Sequence, residues 1–180
     1  MEHRMKPVRR NSLAVPFEDG RASCVSFVYR PRMDDVDVAL RNRTYGLFVE
    51  LGRAPSLEEA ASAAGLTMDE AAAGWLRLHD AHALVLHPGS TALRMANPFA
   101  AQPTSYRVQA AERSWHANCA WDAFGICAAL NTDGRIETRC ADCGDEIIVE
   151  VSNRRPDLDP GVVFHCLVPA SQWWDDIVFS

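Results

Sequence analysis

Two helix starts in close succession constrain this chain more tightly than any other feature. In Pro55-Ser56-Leu57-Glu58-Glu59 a serine able to cap a helix stands three residues ahead of a glutamate, and Thr67 stands in the same relation to Glu70. In each pair the hydroxyl and the carboxylate can satisfy backbone N–H groups reciprocally at the open end of a helix. The first helix runs through alanines and stops at Gly65, and the second carries Trp75, Leu76, Leu78 and Ala81. Ahead of them, Asp34 to about Val49 is patterned as a helix, with Val36, Val38, Leu40, Tyr45, Leu47 and Phe48 on its apolar side. Behind them, Leu84-Val85-Leu86 and Ala92-Leu93-Arg94-Met95 flank the turn His87-Pro88-Gly89-Ser90, which is a hairpin pattern. Three helices followed by a hairpin is the order of a winged helix-turn-helix.

Further along, Tyr106-Arg107-Val108 reads as a strand, and Ser114 to Leu130 as a helix capped by Ser114 and broken at Asn131-Thr132-Asp133-Gly134. Short strands are expected at Arg135 to Arg139 and Glu146 to Val151, on either side of a Cys140-Ala141-Asp142-Cys143-Gly144 turn. Another is expected at Val162 to Val168, with Trp173 to Phe179 closing the chain. The fold class is therefore α+β. A peripheral extension over 1–32 precedes a winged-helix-like lobe over 33–96. A linker over 97–104 and a mixed lobe over 105–180 follow, the latter with short antiparallel strands around one helix. Within the extension, Val25 to Tyr29 is a candidate strand, and Met33 is a candidate native start.

Composition removes several function classes. With 48% hydrophobic and 23% charged residues, the 180-residue chain has enough apolar material for a core. No apolar run approaches a membrane span, and none of signal-peptide length follows the basic residues near the start, so the cytoplasm is the expected compartment. The net charge of −6 argues against a nucleic-acid partner. The segment about Thr67 to His82 that would read DNA in a winged-helix regulator carries Asp69, Glu70 and Asp80 against Arg77. The six cysteines, in a reducing compartment, point to packing, metal or nucleophilic chemistry rather than to disulfides.

Cys119 and Asp122 are the candidate chemical pair. Three residues apart on a helix, they project to one side. A carboxylate on an otherwise apolar helix is costly to bury without a partner or a task. A thiolate is a soft ligand for soft metals, and a neighbouring carboxyl can hold and deliver a proton. On spacing alone, a packed cysteine beside a surface aspartate is the favoured explanation of the pair. Cys140-x-x-Cys143 can be half a zinc site, a redox pair or a tight turn, and a structural or incidental role is the expectation. His165 and Cys166 are the candidate zinc partners in the same lobe, although Cys166 alternates with Phe164 and Val168 as a core residue of a strand would. Cys127 reads as core, Trp173 and Trp174 as packing residues or an apolar wall, and His79, His82 and His87 as surface residues.

Cys119-Ala120-x-Asp122-Ala123-x-Gly125-Ile126, after its aromatic-rich approach, resembles the catalytic helix of the alkylmercury lyases. The Cys140-Ala141-x-x-Gly144 turn lies at the matching distance, and the leading winged-helix pattern is also similar to that family. The resemblance covers roughly 34–180. It implies that the Cys119 thiolate attacks the mercury of an organomercurial, and that Asp122 takes the thiol proton and returns it to carbon. The products would be a hydrocarbon and Hg(II) on Cys119 and Asp122, with no cofactor. The family's second catalytic cysteine falls at or just beyond Ser180, either replaced by that serine or on a further segment. A hydroxyl is too hard to stand in for a thiolate on mercury, so weak or no turnover is expected. The alternatives are a divergent soft-metal or thiol-binding homologue without lyase activity, and a winged-helix DNA-binding regulator.

The extension lacks periodic apolar positions, so a chain beginning at Met33 is expected to keep a single cooperative thermal transition. Loss of that transition in a calorimetric scan would show that residues 1–32 contribute to the core.

Overall fold

The computed structural model describes residues 33–166, 168–169 and 172–177. The expected extension, including Val25 to Tyr29, lies outside them, as does Ser180. Met33–Ser180 clusters as one compact unit.

Both boxed helix starts are present. In α2 (Leu57–Ala64) Ser56 accepts from the Glu59 N–H, and Glu59 accepts from the Ser56 N–H at 2.8 Å. In α3 (Met68–Asp80) Thr67 and Glu70 make the same exchange. Gly65 closes α2 in the left-handed region at φ 69°, where the absence of a Cβ removes the penalty. The preceding α1 (Asp35–Leu51) is capped by Asp34, whose carboxylate accepts from Asp37 N–H. Its inner face is Leu40, Thr44 and Phe48, while Val36 and Val38, expected inside, are exposed.

Polar groups lock α1 to α3. The Trp75 indole N–H donates to the buried Thr44 hydroxyl at 3.1 Å, and Thr44 in turn donates to Leu40 C=O. The buried Asp37 carboxylate receives a forked pair of bonds from Arg77, at 2.7 and 2.9 Å. That geometry offsets the cost of burying the charge.

The strands β1 (Val85–Leu86), β2 (Leu93–Ala96), β3 (Phe99–Ala100), β4 (Tyr106–Ala110), β5 (Arg113–Ala117), β6 (Gly134–Arg139), β7 (Glu146–Ser152) and β8 (Arg155–Asp157) form one eight-stranded sheet. Its order is β1-β2-β3-β5-β4-β6-β7-β8, and every pairing is antiparallel. The architecture is thus α+β. The stretch 97–104 supplies β3 to this sheet, so the expected lobe boundary falls inside it. Phe99 of β3 stacks on Phe48 of α1 at 5.3 Å between ring centroids, and the Trp115 indole N–H donates to Phe48 C=O at 2.8 Å.

Two local expectations are corrected. The segment from Ser114 begins as strand β5, and helix α4 (Ala120–Leu130) starts only after Cys119. Trp115 and Ala117 are buried while Ser114 and His116 are half-buried, which is the period of a strand and not of a helix. No strand occupies 162–166, where the backbone is irregular, and the additional edge strand is β8. Among the described residues, no helix is long and apolar enough to cross a membrane.

The sheet's register determines where α4 lies. Trp115, Val108, Ile136 and Val149 face one another across β5, β4, β6 and β7, forming a buried row on one face. The opposite face is polar, with Gln109 bonded to Glu137 and Arg135 bridging Glu137 and Glu150. α4 lays Ala123, Ile126 and Cys127 on the apolar side. Gly134 is where helix and sheet come closest, since a Cβ there would lie 2.7 Å from Cys127 Sγ and 2.9 Å from Gln109 O. Gly134→Ala is therefore expected to destabilise the protein by about 1–3 kcal/mol through overpacking. Chemical denaturation would check this, and an unchanged midpoint would contradict the close packing of α4.

Candidate active site

α4 begins where β5 ends, and the residue at the junction is Cys119. Its extended backbone (φ −152°, ψ −180°) makes it the N-cap, with Ala123 N–H donating to Cys119 C=O at 3.0 Å to start the helix. Asp122 is the third helical residue. Cys119-x-x-Asp122 therefore repeats the spacing of Ser56-x-x-Glu59, although no side-chain capping hydrogen bond like that of Ser56 forms at Cys119. The expected juxtaposition of thiol and carboxyl holds, but it arises from a helix end and not from a shared mid-helix face. Asn118 completes the group, its amide donating to Asp122 Oδ2 at 3.0 Å and to Asn97 Oδ1 at 3.4 Å. Gly125 of the same helix lets Pro98 come close, since a Cβ there would sit 3.1 Å from Pro98 Cβ.

These groups line a cavity of about 330 Å³. Asn118, Cys119 and Asp122 form its polar part, while Ile136, Val149 and Phe124 come from the sheet and α4. The irregular C-terminal segment closes over it with Val163, Phe164, His165, Cys166 and Trp173. Trp173 is held by its indole N–H to Val168 C=O at 3.1 Å and meets Trp121 edge-on at 6.4 Å. Phe164 lies 6.4 Å from the same Trp121 ring. An apolar enclosure with few polar groups suits a small ligand with an organic part.

Burial dominates the electrostatics. It pushes the Cys119 thiol above its ordinary value. The Asp122 charge and, more weakly, Cys166 add to the rise, while the Asp122 and Trp121 backbone N–H groups oppose it. Burial likewise raises the Asp122 carboxyl, against hydrogen bonds from Asn118 and from the Cys119 thiol. Both groups therefore hold a proton to higher pH than they would in water. A carboxyl of this kind can pass a proton, and a thiol beside it has a base within reach.

Cys166 is the residue that sequence reading placed wrongly. It was expected as a core residue of a strand, yet it is exposed on irregular backbone, its thiol donating to Val168 C=O at 3.1 Å, and it lines the Cys119 cavity. Pro160 and Gly161 just before it are breakers that argue against a regular strand there. Cys140 also lines the cavity, Cys143 is exposed beyond it, and Cys127 is buried in the core. His79 ties α3 to β1 through Leu84 C=O and Leu86 N–H, and His87 faces Gln102. Trp174 stacks on His82 at 4.1 Å. Among the described residues, no group of three or more His, Cys, Asp or Glu side chains is arranged to hold a metal ion.

Alkylation of Cys119 by iodoacetamide, followed on its peptide by mass spectrometry, is expected to show a midpoint above that of an ordinary thiol. Asp122→Asn removes a negative charge that disfavours the thiolate, so the midpoint should move down. An upward move would contradict this description of the pair.

Residues 99–179 match the family model for alkylmercury lyase. No curated protein matches the chain significantly. Among solved structures, the mercury-bound form of MerB2 shares the fold with a TM-score of 0.56 and 20% sequence identity. The alignment covers 71% of this chain and 61% of that one, so the chain spans about three-fifths of its relative's length. Cys119, Asp122, Cys140 and Cys166 all lie inside the matched segment, and through that segment the chain is similar to the alkylmercury lyases.

Proposed function

We propose that this protein cleaves carbon–mercury bonds of organomercurials by protonolysis, releasing a hydrocarbon and retaining Hg(II) on sulfur. The observation that carries the reading is one cavity holding a half-buried thiol, a half-buried carboxyl and a further thiol: Cys119, Asp122 and Cys166. Mercury is soft and binds thiolates strongly, and sulfur coordination pushes electron density towards the carbon. Asp122 takes the Cys119 proton as the first sulfur–mercury bond forms. Cys166 gives its proton to solvent and adds a second sulfur. The proton on Asp122 then moves to the carbon, the carbon–mercury bond breaks, and the electron pair of that bond becomes the new C–H bond. Mercury stays in the +2 state, so no cofactor is required. A raised Asp122 pKa favours this work, because the carboxyl must hold the proton until the carbon accepts it.

Cys166 offers a second sulfur within the cavity itself, beside the one expected at or just beyond Ser180. The aromatic groups around Trp121 give the organic substituent an apolar surface. A DNA-reading role for α3 is disfavoured, since Arg77, the basic residue expected there, is already committed to Asp37. Five free cysteines among the described residues accord with the cytoplasm as the proposed compartment.

Cys119→Ser is expected to abolish methane release from methylmercury, because the remaining thiols can bind the metal but do not stand beside Asp122. Asp122→Ala should retain binding and slow methane release by about 10²- to 10⁴-fold, the usual contribution of a positioned acid. Cys166→Ser should bind methylmercury through Cys119 yet release little methane. Gas chromatography of single-turnover mixtures separates the three variants. Cleavage by Cys119→Ser at the wild-type rate would overturn the reading. Tight methylmercury binding by wild type with no methane would favour a soft-metal-binding homologue without lyase activity.

A further inference from the structure

The Cys140-Ala141-Asp142-Cys143-Gly144 turn between β6 and β7 does more than reverse the chain. Cys140 N–H donates to Asp145 C=O at 2.8 Å, and Gly144 N–H donates back to Cys140 C=O at 3.0 Å. Gly144 closes the loop at φ 77°, a conformation that disfavours a Cβ. Within this frame, hydrogen bonding from the Cys143 and Asp142 backbone N–H groups and from the Cys143 thiol lowers the Cys140 thiol below its ordinary value. Both cysteines are free thiols, three residues apart on one turn, at the end of a hairpin whose strands are paired throughout from Arg139↔Glu146 to Gly134↔Val151. Cys140 also lines the cavity that contains Cys119 and Cys166, while Cys143 is exposed on the outside.

We propose that Cys140 and Cys143 form a second soft-metal site, a two-thiolate clamp for Hg(II) or another thiophilic d10 cation, at the rim of the Cys119 cavity. Such cations accept two sulfurs and need no further protein ligand. The turn supplies both sulfurs from one rigid element, so the second bond forms at high effective concentration and outcompetes a free monothiol. One face opens to the cavity and the other to solvent, which suits a station between the reaction centre and an external thiol acceptor.

Transfer into the clamp is ligand exchange with no change of oxidation state. The Cys140 thiolate attacks Hg(II) held by Cys119 and Cys166. A sulfur–mercury bond to Cys140 forms and the bond to Cys166 breaks, and the Cys166 thiolate takes up the proton that Cys140 gave to solvent. Cys143 repeats the exchange against Cys119. The cycle ends with two free thiols in the cavity and Hg(II) on the turn. Only this transfer rests on the proposed lyase activity, and metal binding by the clamp does not.

The test uses the full reduced chain under anaerobic conditions, loaded with mercuric chloride and desalted against an excess of a monothiol. Metal content and the sulfur-to-mercury absorption band are the readouts. Cys119→Ser is expected to keep one Hg(II) per chain with the band of a bis-thiolate complex. Cys119→Ser with Cys143→Ser should lose both, and so should Cys119→Ser with Cys140→Ala. Both turn positions tolerate small residues without loss of core, and an unchanged thermal transition checks this. Adding Cys166→Ser to Cys119→Ser should change nothing. If Cys119→Ser alone empties the chain of mercury, or if Cys166→Ser and not Cys143→Ser releases it, the clamp is refuted while the lyase reading stands. If wild type cleaves no organomercurial but Cys143→Ser still costs one Hg(II), the clamp stands and the lyase reading fails.

Discussion

The seating of α4 on the apolar face of the sheet is the constraint on which the site depends. Ala123, Ile126 and Cys127 are buried against the row formed by Trp115, Val108, Ile136 and Val149. Because β5 leads into the helix through a single extended residue, fixing the helix also fixes Cys119. Gly134 beneath Cys127 and Gly125 beside Pro98 allow the close approaches that a larger residue would prevent. Core packing of this kind positions a reactive pair more firmly than a loop would, since a shift of the helix would open voids along the whole row.

The same burial sets the chemistry. A thiol and a carboxyl placed at an open helix end in water would both ionise readily. Enclosed by Phe164, Trp173 and the sheet, both are driven towards their protonated forms. Asn118 and the helix N–H groups limit the cost without cancelling it. The result is a protonated thiol hydrogen-bonded to a neighbouring carboxyl that itself holds a proton to higher pH than it would in water. The exposed Cys140–Cys143 turn has the opposite surroundings. Its backbone N–H groups hold the Cys140 thiol below the ordinary thiol range, with little burial to oppose them.

Much of this was legible from residues whose local physics is self-sufficient. Ser56 with Glu59, Thr67 with Glu70, Gly65 and the turn after Leu86 all carry their own hydrogen-bond logic, and they form as read. The start of α4 was misread because Ser114 is a good capping residue and the stretch beyond it is apolar. The alternation of Trp115 and Ala117 with Ser114 and His116 was the competing signal, and Cys119-x-x-Asp122 has the spacing of a capping box. Cys166 could not be placed from spacing, because its position depends on an irregular segment folding back over α4. No local period encodes that. The pairing of Phe48 with Phe99 and Trp115, which joins the helices to the sheet, is likewise a tertiary fact without a local signature.

The central claim is that sulfur attack and proton delivery to carbon occur in one cavity. Its most direct test is a single turnover of methylmercury by the wild-type chain in deuterated water, with the gas analysed by mass spectrometry and the protein assayed for mercury. The account predicts methane carrying one deuterium, with Hg(II) left on the protein in matching amount. Methylmercury recovered intact from the protein, with no methane released, would contradict it.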